Sequence, residues 1–370
     1  MKKTMMAALT MVSAAAVLTA CGGSAPAAST AAETESTAAI AGTESSAEPS
    51  KAEGEGKVYK VGILKFVDHP SLNQIEDNLC AELDSLSGDG VKFDYADYRL
   101  NGQADGSVLN QMTAQLLADG VDVIVPIATP AAQIVQAATE GMDIPVVFSA
   151  VSDPVSAKLV DSMEKPGKNI TGTSDFLNTD AIMDLIFAAN ADTDYVGLLY
   201  SKSEDASAAP IQAAKAYLDA KGVKYIEKTG TTTDEVSQAV DALIAEGVDA
   251  VFTPTDNTIQ KAELAFFEKL QDAKIPHFGG ADSFALNGAF AGYGVDYAKL
   301  GRATADMVAE ILDKGAVPAE TAVQTFDNGI ATINTETLDK LGMNDAEIRK
   351  AFAPYCTEIV ETQTKKEFAK

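Results

Sequence analysis

Hydrophobic residues in this chain form short unbroken runs that alternate with stretches of helical spacing. The clearest example, residues 116–133, reads LLADGVDVIVPIATPAAQ. It predicts a helix end, a glycine stop, a buried strand and a second helix opened by Thr129 and Pro130, since threonine caps helices well and proline is best tolerated at the first helical position. The segment is therefore one predicted strand–helix unit.

The same unit occurs a second time. Residues 243–260 read LIAEGVDAVFTPTDNTIQ, with the same Gly-Val-Asp and the same apolar strand. The likeness extends outward to Val-Gly-Ile-Leu at 61–64 and Val-Gly-Leu-Leu at 196–199. The repeat predicts two similar lobes that face each other across a cleft.

Apolar strands that alternate with helices indicate parallel sheets covered on both faces. In the first half the predicted strands are 61–66, 91–95, 121–126, 144–148 and 169–174, and the predicted helices are 72–86, 107–118 and 131–139. In the second half the predicted strands are 195–200, 223–227, 249–252 and 275–278, with a helix that ends at Lys221 and helices at 234–245 and 258–271. A strand at 289–294, a helix at 297–313, strands at 323–326 and 330–333, and a helical tail at 338–353 complete the predicted α/β fold.

The start of the chain has a different composition. Residues 1–20 combine two lysines with a short apolar run, which is typical of a signal peptide rather than a spanning helix. Cys21 follows Leu-Thr-Ala, as in bacterial lipoproteins, where this cysteine carries diacylglycerol. An ordinary signal peptide with an incidental cysteine is the alternative. Residues 21–57 have almost no large apolar side chain and predict a disordered tether. We expect a lipid anchor on the extracytoplasmic face of the cell membrane.

The formal net charge of -26 argues against nucleic acid as a partner, because few cations could neutralise phosphates. Phosphate-loop, dinucleotide-binding and nucleophile-elbow motifs do not occur. His69 and His277 are the only histidines, and neither has the spacing of a metal motif. Cys80 and Cys356 could pair in an oxidising compartment, although a core thiol and a tail thiol are the preferred interpretation. We predict no enzyme activity, no metal and no cofactor.

Open α/β sheets bind ligands at the carboxyl ends of their strands. In the first half these ends carry hydroxyls and helix-start amides, which suit a carboxylate. In the second half they carry Asp256, Asn257 and Asp282, which suit an ammonium group. A zwitterionic amino acid fits this division. The alternative for each residue is ordinary helix capping.

Five motifs carry a family resemblance: FVDHPSL at 66–72, IATPAAQ at 127–133, VSDP at 151–154, YSKSED at 200–205 and PTDNTI at 254–259. With the lipoprotein signal and tether, they resemble the substrate-binding lipoproteins of ABC importers, and within these the branch for tryptophan and other aromatic amino acids. The resemblance implies the periplasmic-binding-protein type I fold, with two Rossmann-like lobes joined by three crossings. Together with the strand-end analysis it gives these ligand-binding residues: Ser71, Thr129, Ser149, Asp153, Ser201, Glu204, Asp256, Asn257 and Asp282.

The resemblance implies crossings near Ser174, Asp282 and Ala316. Lobe 1 is then 58–174 plus 283–316, lobe 2 is 175–282 plus 317–345, and 346–370 is a tail. The implied function is a monomer that captures an amino acid such as tryptophan, tyrosine or phenylalanine and delivers it to an ABC permease and ATPase. The alternatives are a sensory lipoprotein that presents its ligand to a receptor, or a binding protein for a branched-chain amino acid or a sugar.

Overall fold

The computed structural model describes residues 56–88 and 90–365. The predicted signal peptide, the predicted lipidation site Cys21 and the predicted tether up to residue 55 lie outside the described residues. Within the described part, no helix has both the length and the apolar character that a membrane span requires.

Strands and helices alternate along the folded part of the chain. The strands are β1 (Lys57–Lys65), β2 (Val91–Asp94), β3 (Arg99–Asn101), β4 (Val123–Ile127), β5 (Val146–Phe148), β6 (Ile170–Ser174), β7 (Tyr195–Tyr200), β8 (Lys224–Thr229), β9 (Ala250–Thr253), β10 (His277–Gly279), β11 (Ala291–Gly294), β12 (Gln324–Thr325), β13 (Ile330–Asn334) and β14 (Glu358–Thr362). The helices are α1 (Pro70–Leu86), α2 (Gly106–Ala118), α3 (Thr129–Ala138), α4 (Thr179–Ala189), α5 (Ala208–Lys221), α6 (Thr233–Glu246), α7 (Asn257–Ala262), α8 (Phe267–Asp272), α9 (Asp282–Leu286), α10 (Tyr297–Leu312), α11 (Thr335–Leu341) and α12 (Asp345–Phe352).

The strands form two separate sheets. The first has the order β12-β6-β5-β4-β1-β2, with β3 also paired to β1, and all its pairs are parallel. The second has the order β14-β13-β11-β10-β9-β7-β8, and only its β11–β13 pair is antiparallel. The order β2-β1-β4-β5-β6 recurs as β8-β7-β9-β10-β11, which confirms the prediction of two similar α/β lobes.

The duplicated segments pack in the same way at one close contact. A Cβ atom on Gly62 of β1 would lie 3.1 Å from the Leu116 side chain, and one on Gly197 of β7 would lie 2.9 Å from the Leu243 side chain. Leu116 and Leu243 are equivalent positions of the two segments. Each leucine therefore packs directly on a strand that has no side chain at that point, which brings helix and sheet close together.

The lobe boundaries differ from the prediction in three places. Residues 283–316 were predicted to return to lobe 1, but β11 pairs with β10 in the second sheet, and α10 is the part that packs on α1. Residues 317–345 were predicted in lobe 2, but β12 pairs with β6. In the predicted tail, β14 pairs with β13. The crossings therefore follow β6, β11 and β12, because the second sheet completes the same five-strand order as the first before the chain leaves it.

Two helices also differ from the prediction. The apolar helix α4 has no counterpart among the predicted elements, because a crossing was predicted near Ser174 and no element was assigned before the strand 195–200. Its start is capped by Asn178, whose side chain accepts a hydrogen bond from the Ala181 amide. The predicted helix 258–271 is interrupted by a 3-10 turn at Glu263–Ala265. At that turn the buried Glu263 carboxylate reaches the His277 ring.

Candidate functional site

The loops at the carboxyl ends of the strands meet between the lobes, where they enclose a cavity of about 10 Å³. We call it the polar cavity. Lobe 1 contributes Thr129 and Ser152, the first crossing contributes Asp175, and lobe 2 contributes Asn257 and Gln260. Tyr297 at the start of α10 also borders it. A volume of this size holds about one water molecule.

Thr129 is the predicted residue with the clearest potential to bind a ligand. It is the first residue of α3 and is only 2% exposed. Its Oγ1 has no hydrogen-bond partner among the described residues, and the same holds for Gln260 Nε2 on the same cavity. Buried polar atoms are normally paired, so two unpaired atoms on one cavity indicate a place for a polar ligand group.

Asp175 was not predicted as a site residue. It follows β6 directly, is 4% exposed, and accepts a hydrogen bond of 2.9 Å from the Ser152 hydroxyl. Burial raises its pKa to about 6, and the hydrogen bond from Ser152 acts in the opposite direction. Its position at the end of a predicted strand was a usable signal, since the other candidates were selected by the same rule.

The Asp256 carboxylate, which is predicted to hold an ammonium group, is hydrogen-bonded within its own lobe. Its carboxylate accepts hydrogen bonds from the Ile259 amide at 3.0 Å, the Ser201 amide at 2.7 Å and the Ser207 hydroxyl at 2.7 Å. It is fully buried, and burial raises its pKa while these hydrogen bonds lower it. The Ser201 hydroxyl lies 2.8 Å from that of Ser203. Asp256 and Ser201 therefore fix the loops of lobe 2, and the Asp256 carboxylate is buried and bonded within that lobe.

Glu204 and Asn257 form a chain that crosses to lobe 1. The Asn257 Nδ2 donates to Glu204 Oε2 at 3.1 Å, and its Oδ1 lies 3.0 Å from His69 Nε2. Burial raises the pKa of Glu204 to about 8, and the nearby Asp256 acts in the same direction. Burial lowers the pKa of His69 to about 4. A neutral imidazole that donates from Nε2 satisfies the amide oxygen and leaves Nδ1 to accept from the Leu72 amide.

Asp282 and Ser71 bond to each other across the lobes. The Asp282 carboxylate accepts from the Ser71 hydroxyl and from Gln74 Nε2, both at 2.7 Å. Another bond between the lobes runs from Gln133 Nε2 to Asp205 Oδ2, at 2.8 Å. Each carboxylate oxygen of Asp282 therefore accepts a hydrogen bond from lobe 1, so in this structure Asp282 joins the two lobes.

The remaining two predicted residues lie away from the polar cavity. The Ser149 hydroxyl is 2.9 Å from that of Thr304 on α10 and accepts a longer bond, 3.4 Å, from Thr173. It is fully buried, so it joins α10 to the first sheet. Asp153 accepts from the Ser156 amide at 2.9 Å and borders two larger cavities, of about 260 and 460 Å³.

His277 lies in a hydrogen-bonded row that resembles a catalytic triad. Its Nε2 is 2.9 Å from the Thr253 hydroxyl and its Nδ1 is 2.9 Å from Glu263 Oε1. All three side chains are at most 2% exposed, which leaves no access for a substrate. Cys80 and Cys356 are free thiols. Across the described residues, no cluster of His, Cys, Asp and Glu could hold a metal ion.

Known proteins share this fold and much of the sequence. A family model described as "ABC transporter substrate binding protein" matches residues 60–352. A tyrosine-binding protein of Clostridioides difficile is 32% identical over 290 residues, which cover 78% of this chain and 82% of the relative. A Streptococcus pneumoniae ABC domain solved in complex with L-Trp is 34% identical, with a TM-score of 0.74, over 82% of this chain and all of that one (100%).

A third similar protein was solved in another state. The ligand-free, open structure of a substrate-binding protein with adhesive properties from Clostridium difficile is 31% identical, with a TM-score of 0.61, over 83% of this chain and 100% of that one. At nearly equal identity and coverage, the higher score belongs to the tryptophan complex. This difference agrees with lobes that are bridged by hydrogen bonds in the present structure.

Proposed function

The chain belongs to the ABC transporter substrate-binding protein family, and from this premise we propose that it captures an aromatic L-amino acid between its lobes for an ABC permease and ATPase. Family membership makes it an extracytoplasmic protein that binds a small molecule. The aromatic class is supported by the relatives, one named for tyrosine and one solved with L-Trp. A non-catalytic, monomeric protein anchored through a lipid on Cys21 is part of the proposal.

The proposal rests on one observation, which is that Thr129 and Asp175 border the same interlobe cavity. The unpaired Thr129 hydroxyl lies at the start of α3, where the helix dipole favours a carboxylate. The Asp175 carboxylate is buried, no Lys, Arg or His of the described residues bonds to it, and an ammonium group would supply a cationic partner. Together they offer complementary partners for the two charged groups of an amino acid.

Ligand entry requires the lobes to move. The polar cavity holds about one water, so the amino acid head needs the lobes slightly farther apart than they are here. The interlobe bonds of Asp282 and Asn257 then favour closure over the bound ligand. A ligand shifts the lobes toward the state that it contacts best, and that closed state is the one offered to the permease.

Isothermal titration calorimetry with the twenty L-amino acids tests the proposal. We expect the tightest binding for an aromatic amino acid, and we expect Asp175→Asn and Thr129→Val each to weaken it about tenfold or more. Asp175→Asn loses the negative charge opposite the ammonium group, and Thr129→Val loses the hydroxyl that donates to the carboxylate. Thr139→Val, at the other end of α3, is the control, because the Thr139 hydroxyl donates to the Val135 carbonyl and accepts from Asn169 Nδ2, and Thr139 does not border the polar cavity. No binding of any amino acid would overturn the proposal.

The pH dependence of binding supplies a second test. Asp175 must be ionised to hold an ammonium group, so affinity should fall as the pH is lowered through about 6, the pKa of its carboxyl. The Asp175→Asn variant should lose this dependence. Equal pH profiles for the two proteins would place the ammonium group elsewhere.

A further inference from the structure

A second cavity lies beside the polar cavity, and we call it the Phe176 cavity. It has a volume of about 260 Å³ and is bordered by Ser152 and Asp153 of lobe 1, Phe176 of the first crossing, and Ala206, Ala209 and Ala213 of lobe 2. Ser152 and Ala206 border both cavities. A ligand whose charged head lies between Thr129 and Asp175 can therefore direct its side chain into the Phe176 cavity.

The walls of the Phe176 cavity suit a flat apolar group. Phe176 is 59% exposed, which is unusual for a phenylalanine in a folded chain, and it is the residue after Asp175. Facing lobe 2 residues are small: Ala209 and Ala213 are one turn apart on α5, and Pro210 lies between them. An aromatic ring placed in this slot would cover the Phe176 ring and bring two aromatic surfaces together.

The rim of the Phe176 cavity is acidic. Asp153 and Asp180 border it together with Asn178, and none of the described residues that border it is Lys, Arg or His. Carboxylates accept hydrogen bonds, so they match the phenol O–H of tyrosine or the indole N–H of tryptophan. They offer nothing to the unsubstituted ring of phenylalanine and repel an acidic side chain.

We propose that the Phe176 cavity is the side-chain subsite of the ligand, and that it prefers rings with a hydrogen-bond donor. This inference rests on the proposed function. Ala209 and Ala213 set the size of the accepted ring, Phe176 supplies the stacking surface, and the rim carboxylates rank tyrosine and tryptophan above phenylalanine.

The size of the subsite is tested with Ala209→Leu against Ala216→Leu, both exposed positions of α5. Leucine is also a good helix former, so neither change should unfold the helix. By calorimetry we expect Ala209→Leu to bind L-tryptophan at least about tenfold more weakly than the native protein, and Ala216→Leu to bind it equally well. Native affinity in Ala209→Leu would overturn the subsite while leaving the proposed function intact. No amino acid binding by the native protein would overturn both.

The donor preference is tested with L-tyrosine and L-phenylalanine, which differ by one hydroxyl. We expect the native protein to bind tyrosine about tenfold more tightly, as sites built to bond a hydroxyl do. The ratio should shrink in a double Asp153→Asn, Asp180→Asn variant, because amide acceptors are weaker than carboxylates. Equal affinity for the two amino acids, or an unchanged ratio in the double variant, would show that the rim does not select the ring.

Discussion

The two copies of the strand–helix segment, 116–133 and 243–260, fold alike but differ where they reach the cleft. Far from the cleft, equivalent aspartates of the two copies accept hydrogen bonds from backbone amides of the neighbouring chain segment. Asp122 accepts a hydrogen bond of 2.7 Å from the Lys60 amide of the neighbouring strand β1. Its counterpart Asp249 accepts from the Asp194 and Tyr195 amides, both at 2.9 Å.

At the cleft the equivalent positions have diverged. Thr129 in the first copy has a buried hydroxyl without a partner among the described residues, whereas Asp256 in the second copy accepts three hydrogen bonds from its own lobe. In the proposed function the first copy therefore keeps a group for a ligand, whereas the second copy uses the same position to fix its loops. The frame of a duplicated fold is retained, and the function depends on the few positions where the copies differ.

A second pair of equivalent positions shows the same divergence. Counted from the matching strands β1 and β7, His69 corresponds to Glu204. The two side chains bond to opposite atoms of the Asn257 amide, one from each lobe. Burial favours the neutral form of both, so the pKa falls in His69 and rises in Glu204.

The largest effect on stability is expected at Asp256, whereas its counterpart Thr129 should have almost none. Asp256→Ala leaves two amides and a hydroxyl without their acceptor and removes a helix cap, so it should cost about 2–4 kcal/mol in the free energy of unfolding. Thr129→Val removes a hydroxyl that has no partner and should change stability by less than about 0.5 kcal/mol. Urea unfolding followed by circular dichroism measures both. Equal losses of unfolding free energy in the two variants would contradict the different roles given to Thr129 and Asp256.

The shared frame predicts matching losses at Gly62 and Gly197. Alanine at either position pushes against a buried leucine, Leu116 or Leu243, and should cost about 1–3 kcal/mol. Gly88→Ala is the control, because a Cβ there meets nothing within 4 Å, and it should be nearly neutral. The same unfolding experiment applies. A large loss in one copy and none in the other would mean that the two copies do not pack alike.

The His69–Glu204 pair predicts opposite dependences on pH. The contribution of Glu204 is fully present below its ordinary pKa and is lost as the pH rises through about 8, and that of His69 is lost as the pH falls from its ordinary value to about 4. Thermal unfolding should therefore show a flatter alkaline side for Glu204→Gln and a flatter acid side for His69→Gln. Unchanged profiles would mean that these groups are not buried in their neutral forms.

The smallest effect is expected from the matching aspartates. Asp122→Ala loses one backbone hydrogen bond and Asp249→Ala loses two, so we expect about 0.5–1 kcal/mol for the first and more for the second. Both residues lie at least partly open to solvent, so water replaces part of the loss. A larger cost for Asp122→Ala would reverse the order expected from the structure.

The fold could be predicted from the sequence because the repeat and the apolar runs are local signals. The boundaries of the lobes could not, because β11 and β12 are short and only their pairing assigns them to a sheet. Likewise, strand ends indicated both Thr129 and Asp256 as site candidates, but the same rule could not show that the Asp256 carboxylate is bonded within its own lobe whereas the Thr129 hydroxyl is unpaired among the described residues. That distinction depends on Ser201 and Ser207, which lie far from Asp256 in the sequence and meet it only in the folded lobe.

A crystal structure of the protein with the amino acid that binds most tightly tests the central claim most directly. We expect the carboxylate of the ligand at Thr129 Oγ1 and the start of α3, its ammonium group at Asp175, and Asp256 still bonded to Ser201 and Ser207. An ammonium group bound by Asp256, or a ligand outside the interlobe cleft, would contradict the account.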